Sequence, residues 1–533
     1  MMRLGGFTET QPARHHAARN RKFDVIIETS LGRLRGSADN GVAVFKGIPY
    51  GASTAGANRF LPPQPAAAWP GIRDAAAPGA AAPQEAVAPD PFSNWYNAIE
   101  PVSEDCLTLN VFTPDPDPFE PRPVMVWLHG GGWRVYSGTA PGFDGTNLAK
   151  QGDVVVVSVN HRLNLFGYLK LDDEDERFAD SGNAGVLDLI QALCWVRDNV
   201  AAFGGDPGNV TIFGQSGGGA KVSALMAAAP AKGLFHRAIA QSCSGSLRLA
   251  EPAEAAVMAS HLARHLGLPC ATGAALQAMP MERLVACLAA VPGSYYRPVL
   301  DGRCFTRHPF DPDAPAMSNE IPFMSGNAAT ETRLTLASDR QNFSLSTDEV
   351  QRRVARFLRI GTAEARRIMD AYRTSDPQAS ASDLLGAITT DHAYIRNTRR
   401  EAALQALTSR APVYSYLFNW RTPVFDGLLR SPHEIEVPFV FGTAATATSM
   451  VGTGPDLASL TQMMIATWSS FARTGNPNNP SIPYWRQYDT DERFTMVLDI
   501  DSHAEPDPGA LARAALDDLP FFEYSMPQNY ARR

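Results

Sequence analysis

The residues with the clearest capacity for chemistry lie in VTIFGQSGGGAKVSALM (210–226), where an apolar run passes through Gly214-Gln215-Ser216-Gly217-Gly218 into a small-residue helix. A serine becomes a nucleophile only when a sharp turn exposes it beside a base. G-x-S-x-G between a strand and a helix supplies that turn, because its glycines tolerate strained backbone where strand and helix almost touch. The helix N-terminus then directs N–H groups and the positive end of its dipole at the oxygen where charge develops. By itself the stretch leaves a second reading open, since glycine-rich strand-to-helix turns also cradle phosphates.

HGGGW (129–133) follows the strand-like run 124–128, about 85 residues before the serine turn. Three successive glycines are entropically costly unless the chain must approach something closely. Such a loop can present the N–H groups of Gly131 and Gly132, with that of Gly217, to a tetrahedral oxyanion. A flexible loop is the bland alternative. Two matching parts of one device, a nucleophile and an oxyanion hole, favour acyl transfer from a small molecule over phosphate binding.

These parts need a frame. VMVWLHG (124–130), DVVVVSVN (153–160), NVTIFG (209–214) and RAIAQS (237–242) are short, β-branched and unalternating, with helical stretches such as GVLDLIQALCWVRDNVAAF (185–203) among them. Continuous apolar strands alternating with helices predict a mostly parallel sheet covered on both faces, hence an α/β protein. Strand-like DVIIET (24–29), VAVFKG (42–47) and LTLNVFT (107–113) precede it, and PVYSYLF (412–418) and FTMVLDI (494–500) follow it. Residues 1–22 read as a disordered tail and 61–92, rich in Pro and Ala, as a long surface loop. The organisation expected is one catalytic domain over 23–533 with a mainly helical insertion at about 335–410.

The chain has 533 residues, 47 basic and 55 acidic, for a formal net charge of -8. No Lys/Arg cluster marks a phosphate-binding face, so nucleic acid is not an expected partner. No run of 18 or more apolar residues, the length that would suggest a membrane span, is present. The first residues contain no apolar core of a signal peptide, which makes a cytoplasmic location the expectation. The six cysteines include no C-x-x-C pair, so neither a zinc nor a redox site is expected.

FKGIPYG and RFLPPQP (45–51, 59–65), SEDCLTLNVFTP (103–114), NHRLNLFGYL (160–169), the block 182–219 and FARTGNPNNPSIPYW (471–485) are together similar to the type-B carboxylesterase/cholinesterase family. The resemblance runs from about residue 24 over nearly the whole chain and implies the α/β-hydrolase fold. In that fold the triad runs Ser, acid, His. The family's acid, a Glu in a G-x-N-x-D-E-G-like turn, maps onto Glu331 within Gly326-Asn327-Ala328-Ala329-Thr330-Glu331-Thr332, with Asp301 and Asp391 as weaker candidates. Of the later histidines, His392, His433 and His503, only His433 opens a family-like block, HEIEVPFVFG.

The resemblance therefore implies a catalytic Ser216–His433–Glu331 triad. It also implies structural ion pairs Arg59–Glu104 and Arg162–Asp188, and a serine, Ser242, behind the triad. Glu434 replaces a glycine that usually follows the base; its carboxylate is either beside the site or tipped outward. Trp133 is expected to border the acyl pocket. Phe92, Trp95 and Tyr96 are expected either to line the pocket mouth as substrate contacts or to be plain packing. Cys106 lacks the upstream partner of a family disulfide, and a Cys270–Cys287 bridge is left open. The function expected is a serine carboxylic-ester hydrolase needing no metal or cofactor. The alternative is a specialised hydrolase of amides, carbamates, aromatic diesters or mycotoxin ester side chains, and an adhesion-type member is disfavoured. Monomer and homodimer are not distinguished.

Overall fold

The computed structural model describes residues 23–523, apart from 89, 172, 246 and 292–294, together with residue 531. The expected tail, residues 1–22, lies outside the described residues. The strands are β1 (Phe23–Thr29), β2 (Gly32–Asp39), β3 (Val42–Pro49), β4 (Ile72–Asp74), β5 (Thr108–Thr113), β6 (Arg122–Leu128), β7 (Val155–Val159), β8 (Gly205–Gln215), β9 (Arg237–Gln241), β10 (Phe323–Ala328), β11 (Val413–Phe418), β12 (Phe494–Leu498) and β13 (His503–Pro506). They form one sheet in the order β1-β2-β3-β5-β7-β6-β8-β9-β10-β11-β12-β13, with β4 against β2. From β7 to β12 every neighbouring pair is parallel, whereas both ends of the sheet are antiparallel.

The parallel centre follows from composition. VVVSV in β7 is buried throughout, as a strand covered on both faces must be. Two cores lie on the two sides: Val124, Val126 and Leu128 of β6 point into one, and Met125 and Trp127 into the other. Period-two alternation thus survives in the packing although both partitions are apolar. Helices Ala184–Asn199 and Asp456–Thr474 are among those that cover the sheet.

Four strands, β2, β4, β10 and β13, escaped the sequence reading, β4 being a three-residue strand inside the segment read as a loop. β2 is largely polar and β13 is short. β10, FMSGNA, lacks the β-branched residues that mark a strand, yet it is buried throughout between β9 and β11. A Cβ on Gly326 would lie 2.3 Å from the Tyr416 ring, so the neighbouring strand requires glycine there.

Between β10 and β11 the chain forms helices Thr347–Leu358, Thr362–Ser375, Ala381–Thr390 and Arg396–Thr408, with a π-helical turn at Asp391–Ile395. They enclose an apolar cluster that includes Val350, Ile368 and Leu385. The segment 61–92 departs from the expected surface loop: Ala75, Ala81 and Ala82 are buried, and Ala75 bonds to both Arg35 and Lys46 through its backbone. Alanine lets irregular chain pack flat against the sheet without a large side chain in the way. No helix among the described residues is long and apolar enough to cross a membrane.

Two buried ion pairs pin loops to this frame. Arg59 meets Glu104 through two bonds of 2.6 Å and donates to the Leu276 and Met279 carbonyls. Arg162 donates to Asp188 at 2.8 and 2.6 Å and to the Leu61 carbonyl at 2.7 Å. Asp188→Asn would leave the guanidinium buried without its counter-charge. We expect it to lower unfolding stability by about 3–5 kcal/mol in a denaturant titration. A loss below about 1 kcal/mol would show that the pair carries little.

Candidate active site

Four segments converge at the carboxyl ends of the central strands. The first is the junction of β8 with helix Gly217–Ala227, where Ser216 has φ 59° and ψ −122°. A non-glycine residue held there costs about 1–3 kcal/mol, the kind of strain found at functional turns. The Ser216 N–H donates to the Gln241 carbonyl at the end of β9 at 2.8 Å, which locks the turn.

The second is the glycine loop after β6. Gly131 and Gly132 have φ +80° and +62°, and among the described residues no protein acceptor takes either N–H. A Cβ on Gly217 would lie 2.2 Å from the Gly132 carbonyl oxygen, so helix and loop touch backbone to backbone. The Gly132 backbone and the first turn of the helix are thereby brought into contact.

The third and fourth segments are the turn after β10 and the loop carrying His433. Glu331 Oε2 lies 2.5 Å from His433 Nδ1. Its Oε1 accepts from the Ala328 N–H at 2.9 Å. The two loops are also laced together: His433 N–H to the Glu331 carbonyl at 3.1 Å, Thr330 N–H to Ser431 at 2.9 Å, and Ser431 N–H to Thr330 Oγ1 at 2.9 Å. Thr332 bonds Thr389 and Thr390 on the inserted helix. The two threonines that depart from the family turn therefore hold it in place.

Burial opposes charge on the His433 imidazole, but Glu331 beside it prevails and raises its pKa above the ordinary value. The other candidates lie elsewhere. Asp301 bonds Asn183 at 2.7 Å, Asp391 takes the Tyr372 hydroxyl at 2.6 Å, His392 sits on Arg396 at 3.2 Å, and His503 is on the edge strand β13.

This arrangement sets an imidazole against a carboxylate and brings the glycine loop against the helix that begins after Ser216. The model of the carboxylesterase family matches residues 24–514. The chain belongs to the carboxylesterase family. It is 34% identical over 503 residues to the para-nitrobenzyl esterase of Bacillus subtilis strain 168, covering 92% of this chain and 98% of that one. It is 33% identical to the phenmedipham hydrolase of Pseudarthrobacter oxydans, over 89% of this chain and 94% of that one. The crystal structure of a carboxylesterase from Geobacillus stearothermophilus superposes with a TM-score of 0.80 at 38% identity, covering 92% of this chain and 99% of that one. The α/β-hydrolase fold and carboxylic-ester hydrolysis come with the family.

Within this carboxylesterase the expected pocket aromatics are redistributed. Tyr96 is fully buried, and its hydroxyl accepts the Gly130 N–H and donates to Gln215 Oε1, both at 3.1 Å. Trp95 is also buried, against Gly142. Tyr96 packs behind the glycine loop and Trp95 against Gly142 and Tyr96, so both are buried packing. Phe92 meets Phe425 edge-on at 5.3 Å. Trp133 is 4% exposed and packs on Tyr168. Cys270 and Cys287 are not joined by a disulfide.

Of the imidazole's neighbours, Gln215, Tyr394 and Glu436 were not singled out from the sequence, whereas Glu434 was. Gln215 Nε2 lies 3.3 and 3.2 Å from Nδ1 and Nε2 of His433, which places the amide against the ring face. Tyr394, delivered by the π-helical turn, lies 5.0 Å from the ring. Such turns often occur at functional sites, and this was the one local signal a sequence does not display. Glu434 is turned inward at φ +75° and buried. Burial pushes its carboxyl up to about 7, and that of Glu436 likewise. Three carboxyl groups thus surround one imidazole.

Proposed function

We propose that this carboxylesterase works through an acyl-enzyme, with Ser216 as nucleophile, His433 as base and Glu331 as the carboxylate that orients it. The observation that carries the reading is the short contact between Glu331 Oε2 and His433 Nδ1. A proton on Nδ1, shared with the carboxylate, leaves Nε2 with the lone pair that takes the Ser216 proton as Oγ attacks the ester carbonyl. The tetrahedral oxygen is received by the N–H groups of Gly131, Gly132 and Gly217. Collapse expels the alcohol, to which the imidazolium returns the proton. Water, activated by the same nitrogen, then hydrolyses the acyl-serine.

Short-chain p-nitrophenyl esters test this directly. We expect a burst of p-nitrophenol equal to the enzyme concentration and a fluorophosphonate adduct localised to Ser216 by mass spectrometry. A stoichiometric adduct on a different residue, or none, would refute the assignment.

The glycine loop makes a further prediction. A Cβ on Gly131 would sit 2.3 Å from the Val135 carbonyl oxygen, at a φ of +80°. Gly131→Ala must therefore move backbone and misdirect its N–H. We expect kcat to fall about 100–1000-fold with KM much less affected, as for loss of one oxyanion donor. Steady-state kinetics showing wild-type kcat would remove Gly131 from the scheme.

A further inference from the structure

Helix Gly217–Ala227 is made of small and apolar residues with one exception, Lys221, which the scheme above does not use. Its side chain is wholly buried, and among the described residues no carboxylate offsets its charge. Burial of an ammonium without a carboxylate is unfavourable, and here it pushes the lysine down to about 7. Violations of this kind concentrate where a group has a function.

The geometry indicates what that function is. Lys221 Nζ donates to the His129 carbonyl at 2.9 Å and to the Gly132 carbonyl at 2.7 Å. It also lies 5.2 Å from the centroid of the Trp133 ring. In a trans peptide the C=O and the following N–H point in opposite directions, so a fixed carbonyl fixes the N–H after it. Clamping the His129 carbonyl directs the Gly130 N–H to the Tyr96 hydroxyl, where it bonds at 3.1 Å. Clamping the Gly132 carbonyl fixes the peptide on the other side. Between the two clamps lie the N–H groups of Gly131 and Gly132. His129 and His161 also face the ammonium, and both are kept neutral by burial and by the lysine's charge.

A run of glycines is the most mobile backbone a chain can have. An oxyanion hole works only when its donors are held in place before charge develops. We propose that Lys221 is the positioning residue of the oxyanion loop. It ties the carbonyls of His129 and Gly132 to the nucleophile's own helix, so that Ser216 and the N–H groups of Gly131 and Gly132 keep a common frame. This inference rests on the acyl-enzyme reading above.

The test compares full-length wild type, Lys221→Met, Lys221→Gln and Lys221→Arg with p-nitrophenyl butyrate as substrate. Phenylboronic acid, which forms a tetrahedral adduct on the serine, reports the oxyanion site. Removal of both donors in Lys221→Met should lower kcat about 30–100-fold, somewhat below the loss of an oxyanion donor itself. KM should stay within about twofold, and boronate affinity should fall in proportion to kcat. Lys221→Gln, with one amide donor group, should lie between on both scales.

A folded Lys221→Met with wild-type kcat, or with a loss confined to KM, overturns the proposal. If Lys221→Met does not fold, the Gln and Arg variants decide. Proportional changes in kcat and boronate affinity support the clamp, and a change in one alone overturns it. Fluorophosphonate labelling of wild type separates the two layers. No adduct on Ser216 refutes the acyl-enzyme reading itself, whereas normal labelling with an unaffected Lys221→Met refutes only the lysine's role.

Discussion

Ser216→Ala is expected to lower kcat by about 10⁶-fold, the order found when the nucleophile of a serine triad is removed, while leaving the fold unchanged. Alanine keeps the Cβ that already occupies φ 59°, so the strained turn is no worse than before. Among the described residues no hydrogen bond of the Ser216 hydroxyl holds the fold together, and stability should stay within about 0.5 kcal/mol. His433→Ala should cost a comparable factor, and the double variant should be no slower than either single one, because residues that act as one unit are not additive. Measured kcat values that multiply would show two independent devices. A Ser216→Ala enzyme retaining a few per cent of activity would end the assignment.

The second large effect is expected at Glu331. Glu331→Gln preserves the size of the side chain but removes the charge facing His433 Nδ1. The expected loss in kcat is about 10⁴-fold, as for the amide substitution in a Ser-His-Asp triad, where the wrong imidazole tautomer results.

The pH profile should change in a definite direction. Only neutral imidazole can act as base, and in wild type Glu331 raises its pKa above the ordinary value despite burial. Activity is therefore lost as pH falls through that raised pKa and is full above it. Removing Glu331 should move this acid limb to lower pH, while the maximal rate collapses. Glu434 and Glu436, both pushed up by burial to about 7, titrate in the same range. The limb thus belongs to the cluster and should be broader than a single ionisation. A Glu331→Gln variant within tenfold of wild-type kcat, or with an unshifted limb, would place the orienting carboxylate elsewhere.

The expected helical stretch and the parallel centre of the sheet appear as read, because each is written in consecutive residues: β-branched runs for buried strands and 3.6-residue periodicity for helices. β10 was missed because FMSGNA is a strand only by virtue of its neighbours β9 and β11, and a glycine under Tyr416 carries no strand signal of its own. Tyr96 was read as a possible mouth residue because nothing local distinguishes an aromatic that lines a cleft from one that packs behind it.

What the sequence determined alone is the chemistry confined to short segments. The turn at Ser216 and the loop at Gly131 and Gly132 are defined by glycines whose backbone freedom is a local property. What only the tertiary structure decided is which distant groups meet. His433 could face Glu331, Asp301 or Asp391 as far as spacing was concerned. The Glu331 turn joins it because β10 lies beside β11 in the sheet and Thr330 is laced to Ser431. Likewise Glu434 turns inward, and Lys221, an ordinary letter in AKVSALM, becomes a buried cation spanning two carbonyls 89 and 92 residues away. Such contacts arise from strand order and close packing, and neither is recorded in any one stretch of chain.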